Sequence, residues 1–142
     1  MKKMFHAGWL GAVAAVALGS AAFAAGNLAS QPADLEPLAL DANLNFSVKE
    51  YQIETGKYYR WEIKSDGGEE FLVKAPDLWR NAWINQVVIN DIEVKPLGGI
   101  EGVEFDDEGS AVIWFVVLRP GEYSFYADGF EERGMIGKFV VK

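Results

Sequence analysis

From Phe46 to its last residue, the chain consists of short apolar-rich stretches separated by turn signals. The segment YYRWEIK, residues 58–64, places Tyr59, Trp61 and Ile63 on one face and charged residues on the other, which is typical of a half-buried strand. Turns rich in Gly, Asp and Pro recur about every eight to twelve residues. The segment SAVIWFVVL, residues 110–118, is apolar throughout and predicts a central strand buried on both faces.

This pattern predicts an all-β fold, an antiparallel Greek-key β-sandwich of about seven or eight strands. On periodicity alone, an immunoglobulin-like domain fits equally well. Asn90-Asp91 reads as a polar interruption within one strand over residues 86–95.

Only residues 75–85 break the alternation. Asp77 is a candidate N-cap for one short helix near residues 76–84, which would carry Leu78, Trp79, Ala82 and Trp83 at spacings of three and four. The helix is expected to close one side of the sandwich. If Trp79 or Trp83 were exposed instead, they would form an apolar contact patch for a partner.

The first 24 residues have the pattern of a signal peptide. Lys2 and Lys3 are followed by an apolar run at residues 9–18, and Ala22-Phe23-Ala24 has the small residues that signal peptidase requires. A retained membrane anchor is the alternative, but the run is short for a spanning helix. Cleavage would leave a mature chain from Ala25 with no membrane insertion, exported in a bacterium to the periplasm.

The mature chain then divides into a lead-in and a domain. Residues 25–45 are polar, contain Pro and lack a clear period, which predicts a mobile lead-in that covers a sheet edge near Leu38 and Leu40. Residues 46–142 form the domain, which is long enough to bury a core.

Missing residue types exclude several kinds of chemistry. The chain has no Cys, and its one histidine, His6, lies in the predicted signal peptide. Thiolate catalysis, Ser-His-Asp triads and ordinary zinc or copper sites are therefore excluded from the mature protein. Without Lys2 and Lys3, eleven basic residues remain against 21 acidic ones, a net charge of −10. This disfavours nucleic acid and favours basic partners or cations, although acidity can also serve solubility alone.

The C-terminal stretch carries a family resemblance. Residues 120–126 (PGEYSFY) and 134–138 (GMIGK) resemble the closing hairpin of the cupredoxins, the plastocyanin and azurin family. In that family a Cys copper ligand ends the strand, a His follows three residues later and a Met five residues after that. The matching places here are Ala127, Phe130 and Met135. The family's other His falls at Glu69, in the less specific match Glu69-Glu70-Phe71.

The resemblance implies the fold of the family without its copper. Type 1 copper needs a thiolate and two imidazoles, and the Met thioether is only a weak axial ligand. Ala127 and Phe130 offer no donor atom, so no type 1 copper cofactor is expected. Phe130 is expected to fill the vacated space as an apolar plug, and Met135 to be a core residue.

On a cupredoxin-like topology, acidic turns would gather at the former copper end. The residues concerned are Glu69, Glu70, Asp106, Asp107, Glu108, Asp128, Glu131 and Glu132. Carboxylates suit hard cations such as calcium, but no stretch has the spacing of an EF-hand. The same charges would also suit docking of a basic protein surface.

These observations favour an exported, copper-free, non-catalytic module that binds or assists another periplasmic protein, one with a basic surface being a candidate. No catalytic residues are identified, since nothing singles out an acid–base pair. The main alternative is a metal-binding protein that uses the carboxylates. A third hypothesis retains the family's role in copper handling or electron transfer, with ligands supplied by a partner.

Overall fold

The structure is a computed structural model that describes residues 30–142. The predicted signal peptide and cleavage site therefore lie outside the described residues. Within residues 30–142, no helix is both long and apolar enough to span a bilayer.

The described residues form twelve strands, one α-helix and one turn of 3-10 helix. The strands are β1 (Ala33–Asp34), β2 (Leu38–Asp41), β3 (Asn45–Phe46), β4 (Glu50–Ile53), β5 (Tyr58–Ser65), β6 (Phe71–Lys74), β7 (Ala82–Ile89), β8 (Ile92–Val94), β9 (Gly102–Phe105), β10 (Gly109–Val117), β11 (Gly121–Ala127) and β12 (Ile136–Val141). Helix α1 spans Pro76–Arg80, and the 3-10 turn spans Glu131–Arg133.

The strands form two sheets, which confirms the all-β sandwich. Sheet A has the order β3-β2-β5-β10-β7-β8, with β1 also paired to β5, and sheet B has the order β4-β12-β11-β6-β9. The sheets are mixed rather than purely antiparallel, because β1 and β2 run parallel to β5 and β4 runs parallel to β12. The number of strands exceeds the predicted seven or eight because several are only two to four residues long.

Part of the predicted lead-in belongs to the sandwich. β2 pairs with β5 in the register Leu38↔Ile63, and Leu38 and Leu40 are both buried in the core. The hydroxyl of Ser47 accepts a hydrogen bond from the Ala39 N–H at 2.8 Å, which ties the next segment to β2. Residues 33–41 thus contribute strands to the sandwich, and β2 covers the edge of β5 near Leu38 and Leu40.

The core between the sheets is largely aromatic. Trp61 of β5 packs edge-on against Phe139 of β12 with ring centroids 5.1 Å apart, and Tyr51 of β4 stacks on Phe139 at 5.0 Å. The Tyr51 hydroxyl donates a hydrogen bond to the Glu36 carbonyl at 2.9 Å. Burial raises the pKa of Tyr51 to about 12, because the phenolate would lose its hydration.

The helix is shorter than predicted, and Asp77 is not its cap. Pro76 lies in its first turn, where its missing N–H costs nothing, and the capping position is Ala75 without a side-chain hydrogen bond. Asp77 pairs with Arg80 at 2.7 Å within the helix. Ala82 and Trp83, predicted to be helical, begin β7.

The predicted single strand over residues 86–95 is a hairpin. Asn90 and Asp91 both adopt positive φ, 49° and 65°, as a two-residue type I′ turn requires. β8 then pairs antiparallel with β7 in the register Ile89↔Ile92. β8 is consequently an edge strand of sheet A.

Candidate functional site: the former copper end

Three loops meet at one end of the sandwich, which we call the acidic end: residues 66–70, 106–108 and 128–135. The registers Ser65↔Gly109, Phe71↔Phe105 and Val73↔Ala127 bring the strand ends beside these loops together. The acidic turns that the sequence predicted to gather therefore do share one end.

The loop from Ala127 to Met135 is closed by its own backbone. The Ala127 N–H donates to the Met135 carbonyl at 3.0 Å, and the Met135 N–H donates to the Phe130 carbonyl at 3.2 Å. Gly134 adopts a left-handed φ of 91°, which ends the 3-10 turn, and its carbonyl accepts a hydrogen bond from the Lys49 ammonium. The side chains of Ala127 and Met135 are both completely buried.

Phe130 of the same loop is partly buried against the core. Its half-buried ring packs edge-on against Phe71, with centroids 5.6 Å apart. Phe71 itself is completely buried. Glu69, which the resemblance matches to the family's other His, lies two residues before Phe71 with its side chain exposed. Phe71, which the sequence analysis did not single out, is thus the residue that faces Phe130.

These residues do not fit type 1 copper. Ala127 and Phe130 contribute no nitrogen or sulfur donor, and the thioether of Met135 is surrounded by apolar core atoms. Glu69 is on the surface and not part of this packing. The arrangement can fill space and support a surface, but it cannot supply the ligand set of the family.

Most of the carboxylates at the acidic end are exposed to solvent. Seven of the eight predicted residues are exposed, and Glu131 is half-buried. Asp128 forms an ion pair with Lys74 of β6 at 2.9 Å. That hydrogen bond raises the pKa of Lys74. Within residues 30–142, no three Asp, Glu, His or Cys side chains are placed to hold one metal ion.

The two tryptophans of the predicted contact patch both line one cleft but differ in exposure. Trp79 is buried against Phe115 with centroids 5.5 Å apart, so it is not part of an exposed patch. Trp83 is 43% exposed and lines a cleft of about 720 Å³ between α1, the start of β7 and residues 96–101. Leu97, which the sequence analysis did not single out, also lines this cleft and is fully exposed.

Comparison with known proteins gives structural likeness alone. No family model matches the chain, and no curated protein matches it. Among solved structures, a multicopper oxidase from Campylobacter jejuni matches over 80% of this chain at 10% identity and a TM-score of 0.56. The match covers 31% of that oxidase, so this chain spans about a third of its length.

Two further structures agree on the architecture. Auracyanin from Roseiflexus castenholzii matches over 80% of this chain and 98% of its own, with 18% identity and a TM-score of 0.50. The copper nitrite reductase of Nitrosomonas europaea matches over 68% of this chain and 33% of its own, with 9% identity and a TM-score of 0.53. The described part of this protein is therefore a single cupredoxin-like domain.

Proposed function

We propose that the protein is an exported, copper-free cupredoxin-like module that binds another periplasmic protein and catalyses no reaction. The observation that carries this proposal is the packing of Phe130 on Phe71 above the buried Ala127 and Met135. The positions that the resemblance matches to copper ligands in this packing hold apolar atoms. The end of the sandwich is then a closed surface instead of a metal pocket.

The acidic end is the surface we assign to the partner. Its exposed carboxylates lie on three neighbouring loops, and the pairing of Asp128 with Lys74 holds the 128–135 loop against β6. A surface with this charge attracts and orients a basic protein surface, and the attraction weakens as salt screens it. The signal-peptide pattern at residues 1–24 supports a periplasmic location for the encounter.

The copper-free part is tested by metal analysis and copper titration of protein purified after expression of the full chain. We expect no stoichiometric copper and no visible thiolate-to-copper charge-transfer band. Stoichiometric copper with such a band would overturn the proposal. Tight calcium binding that is lost in Asp106→Asn/Asp107→Asn would instead establish the carboxylate metal-binding alternative.

The docking part is tested by affinity capture from periplasmic extract at low and high salt. Asp106→Asn/Asp107→Asn neutralises the acidic end, whereas Glu54→Gln/Glu122→Gln removes two exposed carboxylates near the opposite end of the sandwich. We expect a captured protein that is lost with the first variant and at high salt, but retained by the second. Equal capture by both variants would place the partner on another surface.

A further inference from the structure

β8 is an edge strand with one side unpaired among the described residues. It follows β7 through the tight Asn90-Asp91 turn and pairs with no other strand of residues 30–142. An open edge presents backbone N–H and C=O groups to any strand that can align with it.

The apolar side chains along this edge continue the inner face of sheet A. The pairing Val87↔Val94 and Ile89↔Ile92 places these four residues on one face. Val87 is buried beneath sheet B, whereas Ile89, Val94 and Ile92 are 41%, 48% and 66% exposed. The inner face of sheet A therefore extends beyond the area that sheet B covers, and its last apolar side chains lie in water.

The opposite face of the same segment carries one negative and one positive charge, which sum to zero. Glu93 and Lys95 are two residues apart, so they share a face. Their side chains form an ion pair at 2.8 Å. The chain as a whole carries a net charge of −8, which opposes the approach of a second copy. Along β8 itself, the charges of Glu93 and Lys95 cancel.

We propose that β8 pairs antiparallel with β8 of a second copy, about a two-fold axis at Val94. In this register Val94 lies opposite its own copy, and Glu93 lies opposite Lys95 of the second copy, twice by symmetry. An axis at Glu93 or at Lys95 would instead place like charges opposite each other. The sequence of the strand is thus self-complementary in one register.

The pairing also covers the exposed apolar residues. Directly opposite residues point to the same side of a sheet, so the Val94 side chains of the two copies meet, and Ile92 lies opposite Pro96. The two sheets A would then join into one sheet across the dimer. This inference concerns a different surface from the acidic end and does not depend on the proposed function.

A cysteine placed at the two-fold axis tests the register. Opposite residues in antiparallel strands have Cα atoms about 4.5–5.5 Å apart, within the range that a disulfide spans. Since the chain has no Cys, Val94→Cys introduces a single thiol. We expect a disulfide-linked dimer on mild oxidation at micromolar protein. The control Glu104→Cys lies in β9, the exposed edge of sheet B, and should cross-link at least about tenfold more slowly, because its thiols are not pre-associated.

Charge reversal tests the same register without a covalent bond. Glu93→Lys and Lys95→Glu should each raise the dimer dissociation constant about tenfold, because each creates two like-charged pairs. The double variant Glu93→Lys/Lys95→Glu should restore dimerisation. The control Glu104→Lys makes the same charge change on β9 and should leave the dissociation constant unchanged.

Sedimentation velocity from micromolar to sub-millimolar concentration provides the measurement, with circular dichroism to verify folding of each variant. A wild-type protein that stays monomeric over this range would overturn the proposal. So would a dimer that is insensitive to both single reversals, or equal cross-linking of Val94→Cys and Glu104→Cys.

Discussion

The ring of Phe130 lies edge-on against the ring of Phe71 at the acidic end, with their centroids 5.6 Å apart. This contact joins the 128–135 loop to β6 across the acidic end. It acts together with the backbone hydrogen bond from the Asp128 N–H to the Leu72 carbonyl at 2.9 Å.

Phe130→Ala should lower the free energy of unfolding by about 1–3 kcal/mol, less than for a fully buried Phe because the ring is half-exposed. Phe130→Leu keeps much of the apolar contact and should cost less. Chemical denaturation of both variants provides the measurement. A loss below about 0.5 kcal/mol for Phe130→Ala would show that the ring does not support the loop.

Met135 should behave as a core residue. Met135→Leu conserves volume and should cost less than about 1.5 kcal/mol, whereas Met135→Ala should cost about 2–5 kcal/mol by leaving a cavity. Urea titration of the two variants decides between packing and ligation. If the thioether were a metal ligand, Met135→Leu and Met135→Ala would lower the free energy of unfolding equally. A metal chelator would then lower the stability of the wild-type protein to that of the two variants.

Substitutions of the two tryptophans near α1 should differ in how much they lower the free energy of unfolding. Trp79→Ala should cost about 3–5 kcal/mol, since Trp79 is 4% exposed and contacts Trp61 and Phe115. Trp83→Ala should cost less than about 1 kcal/mol, because its side chain is partly in solvent. Thermal unfolding measures both. A neutral soluble quencher reduces the fluorescence of exposed tryptophans. The fraction of fluorescence that it removes should fall more in Trp83→Ala than in Trp79→Phe.

Stability should fall in alkali because of Tyr51. Its pKa is raised from 10.0 to about 12 in the folded protein, so between these values the unfolded chain releases the proton first. The contribution of Tyr51 to the free energy of unfolding is complete below pH 10 and is lost as the pH rises through about 12. The total loss is roughly 2–3 kcal/mol. Tyr51→Phe removes the titrating group.

Denaturation midpoints measured from pH 9 to about pH 12 test this linkage. The wild-type protein should lose more stability than Tyr51→Phe over the upper part of the range. At neutral pH the variant should be less stable by about 1 kcal/mol, since the hydrogen bond to Glu36 is gone. Parallel curves for the two proteins would contradict the assignment.

The sequence predicts the strands that carry a clear local signal. β5 and β10 were identified from strict alternation and from a continuous apolar run, and the packing of Met135 and Phe130 follows from their chemistry together with the resemblance. The predicted short helix or helical turn near residues 76–84 is present as Pro76–Arg80. It ends before Trp83, which has helical spacing but belongs to a strand that pairs with β10. Tertiary pairing overrode local periodicity there.

Other features had weak or no local signals. β1 and β2 are short and pair in parallel with a strand more than twenty residues away, so nothing near Leu38 specifies its partner. The Asn90-Asp91 turn did leave a signal, because these residue types tolerate positive φ and apolar residues alternate on both sides. A turn at Asn90-Asp91 predicts a separate strand after it, which is β8 with its exposed Ile92 and Val94.

The position of β12 in sheet B affects when the sheet can form during synthesis. β12 lies between β4 and β11 in sheet B, and the Lys142 carbonyl accepts a hydrogen bond from the Thr55 N–H at 2.7 Å. Sheet B therefore stays split in two until β12 has been synthesised. Such distant pairing slows folding, and a chain that lacked residues 136–142 would lose an internal strand of sheet B.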